Sequence, residues 1–265
     1  MSLPGRRRGL IFAILVAAFA TAAWRPMRGP DCARIPPDAG CTRVLFIGNS
    51  YTYVNNLPGV FAQIGNALGR PVYADMIAPG GETLAGHAAS PAVLARIRDG
   101  HWTYVVLQEQ SVMPAVEPSR QSAMFPAARA LVDSIRRAGA QPVFFITWGH
   151  ENGWPDGGLA DYRAMQTQLT LGYRMIADEM HAIAVPVGEA WRIIATKHRD
   201  IPLWQGDGSH PTVQGTFLAA NVFVEVLLHV RPRGMDARGP VPAGQVNRLQ
   251  QAASRAVAEA PRTTR

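Results

Sequence analysis

Two short stretches of this chain hold side chains whose types and spacing match one chemistry. The first reads Val44-Leu45-Phe46-Ile47-Gly48-Asn49-Ser50-Tyr51-Thr52, and the second, near the other end, reads Asp207-Gly208-Ser209-His210-Pro211. A serine hydroxyl is a poor nucleophile until a neighbouring base takes its proton, and an imidazole is the usual base. A carboxylate on the other ring nitrogen holds the imidazole in the useful tautomer and stabilises the imidazolium. Ser50, His210 and Asp207 supply these three groups in the chain order Ser…Asp…His. Each piece alone is ordinary. Gly-Asn-Ser after a strand is a turn and helix cap, Asp207-Gly208 is a turn, and a histidine before proline is common.

What raises them above that level is the framework around them. From Arg43 onward short apolar runs alternate with helical patterns. The runs 43–48, 71–78, 103–108, 142–147 and 182–186 predict strands. The stretches 57–69, 83–98, 119–138, 158–180, 187–198 and 212–229 predict helices. The strands are continuous apolar runs, as in a sheet covered on both faces. Five strands joined by helical crossovers predict a parallel, three-layer α/β domain over 43–230. Ligands of such sheets bind outside the carboxyl ends of the strands. Ser50 follows the first run, Gly80-Gly81 the second, Gln108-Glu109-Gln110-Ser111 the third and Trp148-Gly149-His150 the fourth, while Asp207 and His210 precede the last helix.

With these blocks in place the chain resembles the SGNH (GDSL-type) hydrolases over about 43–230. Gly48-Asn49-Ser50 looks like the family's Gly-Asp-Ser nucleophile block, with Asn49 in the Asp position and Tyr51 where Leu is usual. Gly80-Gly81-Glu82-Thr83 looks like the second block, and Gly81 aligns with the glycine whose N–H serves the oxyanion. Asp207-Gly208-Ser209-His210 looks like the closing Asp-x-x-His. The third block departs from the family's Gly-x-Asn-Asp. It is similar instead to the Gln-Gly-Glu block of carbohydrate and sialate O-acetylesterases, which makes Gln108 the oxyanion donor and Gln110 the alternative. The resemblance implies a flavodoxin-like sheet of order 2-1-3-4-5. It also implies a serine esterase with catalytic Ser50, Asp207 and His210, an oxyanion hole from Ser50, Gly81 and a Gln amide, and no cofactor. Short acyl esters, acetyl above all and carried on glycans, are the expected substrates. A glycan O-acyltransferase with the same triad and a non-catalytic glycan-binding module of the same fold are the alternatives.

Weaker readings attach to other residues. Trp148, His150 and Asn152, with Trp154, form a cluster after the fourth strand that either lines a sugar-sized cleft or packs on itself. Glu189 and Trp191 read as structural, and Met165, Met175 and Met180 as a helix packing face. His87, His101, His181, His198 and His229 show no metal-ligand spacing, so no metal site is expected.

Composition bounds the partners and the compartment. The chain has 265 residues and a formal net charge of +7, with a pI near 10.1. Residues 1–43 carry seven Arg against two Asp, and 231–265 carry seven Arg against one Asp and one Glu, so each end is +5. The body, 44–230, has twelve basic and fifteen acidic residues, a net of −3. The basic excess lies on the ends, with no basic stripe interleaved with aromatics, so no nucleic-acid partner is expected. Residues 1–24 read as a signal peptide or an uncleaved N-terminal anchor. Arg6, Arg7 and Arg8 precede an apolar run, and Ala20-Thr21-Ala22 fits an A-x-A cleavage site. The run is shorter than the roughly 20 residues of a spanning helix. Either form places the domain in the periplasm or outside the cell, with membrane contact only through the anchor. Cys32 and Cys41, the only cysteines, lie in the linker 25–42, and an oxidising compartment predicts their disulfide. A ten-residue loop closed in this way gains about 2.7 kcal/mol in the chain-entropy relation. The last segment, 231–265, is basic and contains one weak helical pattern over 243–259, read as either a docked surface helix or a frayed tail, with docking favoured.

Overall fold

The computed structural model describes residues 30–234 and 239–261. The segment expected to be a signal peptide or anchor, 1–24, lies outside the described residues, as do residues 25–29 of the linker. No described helix is long and apolar enough to cross a membrane.

Five strands form the sheet: β1 Thr42–Ile47, β2 Val72–Ile77, β3 Tyr104–Leu107, β4 Gln141–Phe145 and β5 Ile183–Val185. All pairs are parallel, and the order is β2-β1-β3-β4-β5. The helices are α1 Ser50–Tyr53, α2 Leu57–Ala67, α3 Leu84–Ala89, α4 Pro91–Asp99 and α5 Glu117–Ser119. They continue with α6 Phe125–Arg137, α7 Tyr162–Glu179, α8 Val187–Lys197, α9 Val213–Leu228 and α10 Ala243–Glu259. Alternate residues of β1 point to opposite faces, and all but Thr42 are buried. Val44 and Phe46 join the layer of α2, α8, α9 and α10, while Leu45 and Ile47 join that of α3, α4, α6 and α7. This is the parallel three-layer α/β domain that the alternation of runs predicts, in the flavodoxin-like order that the family resemblance implies.

Local chemistry explains where the observed helices depart from the expected ones. The stretch 83–98 is two helices, because Ser90 is extended and caps Val93 N–H while Pro91 starts the next helix. The stretch 119–138 passes through a π turn at Arg120–Met124. Pro126 has no N–H to give the carbonyl four residues back, and the widened turn absorbs the loss. The expected 158–180 helix starts only at Tyr162, where Asp161 accepts from Ala164 N–H. Met165 is buried, but Met175 is 40% exposed, so only part of the expected methionine packing face exists.

The domain also extends past residue 230. Val246, Leu249, Ala252, Ala253 and Ala256 of α10 are buried against α8 and α9, so the C-terminal helix belongs to the core and is not a tail. At the other end Cys32 and Cys41 are bonded. Their segment is held to the sheet by buried Arg43, which donates to Cys32 O and Gly100 O and lies over the rings of Tyr73 and Trp102. The centre of the larger core layer is Phe223 of α9, which makes edge-on contacts with Phe46 at 5.1 Å and Phe145 at 5.0 Å. Truncating a fully buried ring removes its transfer energy and leaves a cavity. Phe223→Ala should therefore cost about 3–5 kcal/mol, seen as a lower urea midpoint at unchanged m-value.

Candidate active site

The carboxyl end of β1 delivers Ser50. After Ile47 the chain turns at Gly48, and Asn49 caps α1 by accepting from Tyr51 N–H, which places Ser50 in the first turn. Gly48 is required by a close approach: a Cβ there would lie 2.4 Å from Gln108 Oε1. The loop before α9 delivers the partners. His210 Nε2 is 2.9 Å from Ser50 Oγ, and His210 Nδ1 is 2.5 Å from Asp207 Oδ2. The other carboxylate oxygen, Oδ1, accepts the N–H groups of Ser209 and His210, each at 2.9 Å. Asp207 is therefore oriented by its own turn. Its pKa falls to about 2, chiefly through the bond from His210 and against a desolvation cost, with the two backbone N–H groups assisting. The carboxylate is charged at any working pH.

Aromatic stacking fixes this loop against the serine turn. Tyr51, Trp148 and Trp191 form a stack with centroids 4.5 and 3.9 Å apart. Trp148 Nε1 donates to Ser209 O at 3.0 Å, and the Tyr51 hydroxyl meets Ser209 Oγ at 2.7 Å. Asn55 Nδ2 reaches Pro211 O at 2.9 Å, and Glu151 N–H donates to Gly208 O at 2.8 Å. The expected cleft role of Trp148 is thereby corrected: at 1% exposure it is core. His150 lies nearer the site, with Nε2 3.3 Å from Ser111 Oγ, and burial lowers its pKa against the pull of Asp207. Asn152 is exposed on the loop and does not line the pocket. Trp191 is buried, and Glu189 pairs with Arg192 and accepts from Thr170, as structural residues do.

On the opposite wall the structure corrects the choice of glutamine. Gln108 is 0% exposed, and its amide is fully used inside the protein. Oε1 accepts from Asn49 N–H and Thr52 Oγ1, both at 2.9 Å. Nε2 donates to Asn49 Oδ1 at 2.9 Å and Glu109 O at 2.6 Å. No donor remains for an oxyanion. Gln110 instead lines the pocket beside Ser50. Its Oε1 is held by Val112 and Met113 N–H at 3.0 and 3.2 Å, and its Nε2 lies 3.3 Å from Ser111 Oγ. Gly81, also on the pocket wall, has φ 71°, in the left-handed region that favours glycine. Sequence reasoning read Asn49 only as part of a turn and helix cap, yet its Nδ2 also donates to Glu82 O at 2.8 Å and so joins the Gly81 loop to the serine turn.

The resulting pocket, about 370 Å³, opens to solvent between Ser50, Gly80, Gly81, Gln110, Ser209 and His210. A hydroxyl, an imidazole and an oriented carboxylate in line beside backbone and amide donors are the parts that acyl transfer needs. Among the described residues no group of three or more His, Cys, Asp or Glu is placed to hold a metal ion.

No family model matches the chain, and no curated protein matches it. Solved structures do. A protein assigned to the SGNH hydrolases from Slackia heliotrinireducens is 28% identical, with TM-score 0.60 over 71% of this chain and 99% of that one. A DUF4886 family protein from Bacteroides uniformis is 19% identical, with TM-score 0.69 over 83% and 95%. An acetyl-xylooligosaccharide esterase from Geobacillus is 17% identical, with TM-score 0.52 over 72% and 97%. An all-parallel 2-1-3-4-5 sheet with helices on both faces and these neighbours defines the class of SGNH-type carboxylic ester hydrolases. The fold and these neighbours support the SGNH (GDSL-type) hydrolase superfamily.

Removing the Gln108 amide should test its structural role. Gln108→Ala leaves Asn49 N–H and Thr52 Oγ1 buried without their partner, at about 1–3 kcal/mol for each group. The variant should unfold at clearly lower urea than the wild type, whereas Gln110→Ala, whose side chain is part-exposed, should shift the midpoint little.

Proposed function

We propose that this protein is an exported serine esterase that removes short acyl groups, acetyl foremost, from glycans. The observation that carries the reading is the continuous line from Ser50 Oγ through His210 to Asp207, at 2.9 and 2.5 Å, ending in an open pocket. Ser50 attacks the ester carbonyl while His210 Nε2 takes its proton, and His210 returns that proton to the leaving alcohol. Asp207, ionised throughout, holds the ring by Nδ1 and balances the imidazolium charge. The oxyanion forms beside the N–H groups of Ser50 and Gly81 and the Gln110 amide. Each such donor is typically worth about 2.7–4 kcal/mol in the transition state. Water then attacks the acyl-enzyme with His210 again as base.

The pocket wall supports a small acyl group. Small and polar residues, Ser50, Ser111, Ser209, Gln110 and two glycines, make up most of it, with the rings of Tyr51 and Tyr53 as its apolar part. The open mouth leaves room for a bulky alcohol such as a sugar. A protein of the same fold is named an acetyl-xylooligosaccharide esterase, which supports a substrate of this kind. Export is supported by the Cys32–Cys41 bond, which persists in oxidising compartments, and by the Arg-led apolar run at residues 6–24.

Ser50→Ala should reduce hydrolysis of nitrophenyl acetate at least about a thousandfold with the fold intact, and abolish labelling by a fluorophosphonate probe. A folded variant with near-native turnover would eliminate the serine mechanism. Gln110→Ala should lower kcat about a hundredfold at similar KM. Release of free acetate from an acetylated oligosaccharide, without added acceptor, distinguishes hydrolysis from transfer.

A further inference from the structure

One buried ionisable side chain stands directly behind the proposed oxyanion site and has no part in the triad. Glu109 follows β3 and is 0% exposed. Its Oε1 accepts two backbone N–H groups, from Gln110 at 2.7 Å and from Leu84 at 3.1 Å. Leu84 is the first residue of α3, three beyond Gly81, and Gln110 carries the amide on the opposite wall of the pocket. A single carboxyl oxygen thus joins the two segments that flank Ser50. The other oxygen, Oε2, is buried with no hydrogen-bond partner. The Glu109 N–H is in turn held by the Tyr173 hydroxyl at 3.0 Å, so the residue is fixed from α7 as well. For a purely structural link between two N–H groups a neutral acceptor would serve, and an orphaned carboxyl oxygen in the core is costly.

We propose that Glu109 is a positioning residue of the acyl site, aligning the Gly81 loop with the Gln110 strand end, and that its charge state governs how well the site holds a developing oxyanion. This rests on the reading of Ser50, Gly81 and Gln110 given above. An anion behind the donors opposes negative charge forming in front of them, whereas the neutral acid does not.

The surroundings allow both states near neutral pH. Burial pushes the Glu109 carboxyl up to about 7, against the N–H groups of Gln110 and Leu84, and the charge of Glu82 adds to the rise. The other titratable groups on the packed elements are neutral or engaged elsewhere. Tyr173 on α7 is a phenol whose own pKa is raised by burial. Burial likewise raises that of Tyr51. His87 on α3 is bonded to Gly48 O, and Arg120 is paired with Glu117. No cation among the described residues forms a salt bridge to Glu109. The carboxyl is therefore neutral below about pH 7 and charged above it, and oxyanion stabilisation should weaken as pH rises through that value.

The test is the kcat profile of the full-length protein on a soluble acetyl ester between pH 5.5 and 9, for wild type, Glu109→Gln and Glu109→Ala. Glu109→Gln keeps a carbonyl oxygen for the two N–H groups and cannot ionise. It should stay within about threefold of wild type at pH 6, lack the decline near pH 7, and exceed wild type about tenfold at pH 8.5. Glu109→Ala should lower kcat about a hundredfold at pH 6 with KM within about twofold. Superimposable profiles for wild type and Glu109→Gln would overturn the charge role, and a folded Glu109→Ala with unchanged kcat would overturn the positioning role. If the Ala variant fails to fold, the Gln profile alone decides. Loss of all activity in wild type and Ser50→Ala alike would instead indict the esterase reading.

Discussion

The site depends on one buried pair of amides, Asn49 and Gln108. They meet through two hydrogen bonds of 2.9 Å, one to the Asn49 backbone and one to its side chain. Every donor and acceptor of the Gln108 amide is used, so neither residue can turn without leaving a buried polar group unpaired. From Asn49 the network continues to Glu82 O and Tyr51 N–H, and from Gln108 to Thr52 and Glu109 O. Three loops that leave three adjacent strands, β1, β2 and β3, are thereby locked in one arrangement. The serine turn and both candidate oxyanion segments inherit their positions from it.

The histidine loop is held by different physics. It belongs to no strand end, and it reaches the serine turn through the Tyr51–Trp148–Trp191 stack and through the Trp148 and Tyr51 bonds to Ser209. Large flat rings lose little conformational freedom on burial for the area they cover. An irregular loop can therefore be fixed closely enough to keep His210 2.9 Å from Ser50. The tryptophans serve the chemistry from inside the core and do not contact the pocket.

Two carboxyl groups flank this site in opposite environments. Asp207 sits half-exposed in its own turn, takes three hydrogen bonds and stays ionised. Glu109 is fully buried, and desolvation outweighs its two N–H bonds. The same functional group thus supplies a permanent charge on the histidine side and a titrating one on the oxyanion side. Environment, not residue type, separates them.

The alternation of runs by itself determined a parallel three-layer sheet with the candidate site at its carboxyl edge, and the family resemblance implied the order 2-1-3-4-5. Apolar runs of strand length between helical patterns leave few arrangements once parallel crossovers must be right-handed and short. The sequence also marked Ser50, Asp207 and His210 as the candidate set, since their types and the three-residue Asp–His spacing are written locally. The α10 pattern was legible too, but not that it completes the core, because docking depends on the exposed faces of α8 and α9. Only the tertiary structure decided between the glutamines. Gln108 and Gln110 point the same way along an ideal strand, and what separates them is the approach of Gly48, which turns the first inward onto Asn49 and leaves the second at the pocket. The same holds for Trp148, a loop aromatic in sequence and a core residue in space, and for Glu109, whose partners lie on helices 25 and 64 positions away. Contacts of that sequence separation leave no local periodicity, so their consequences for charge and position appear only once the chain is folded.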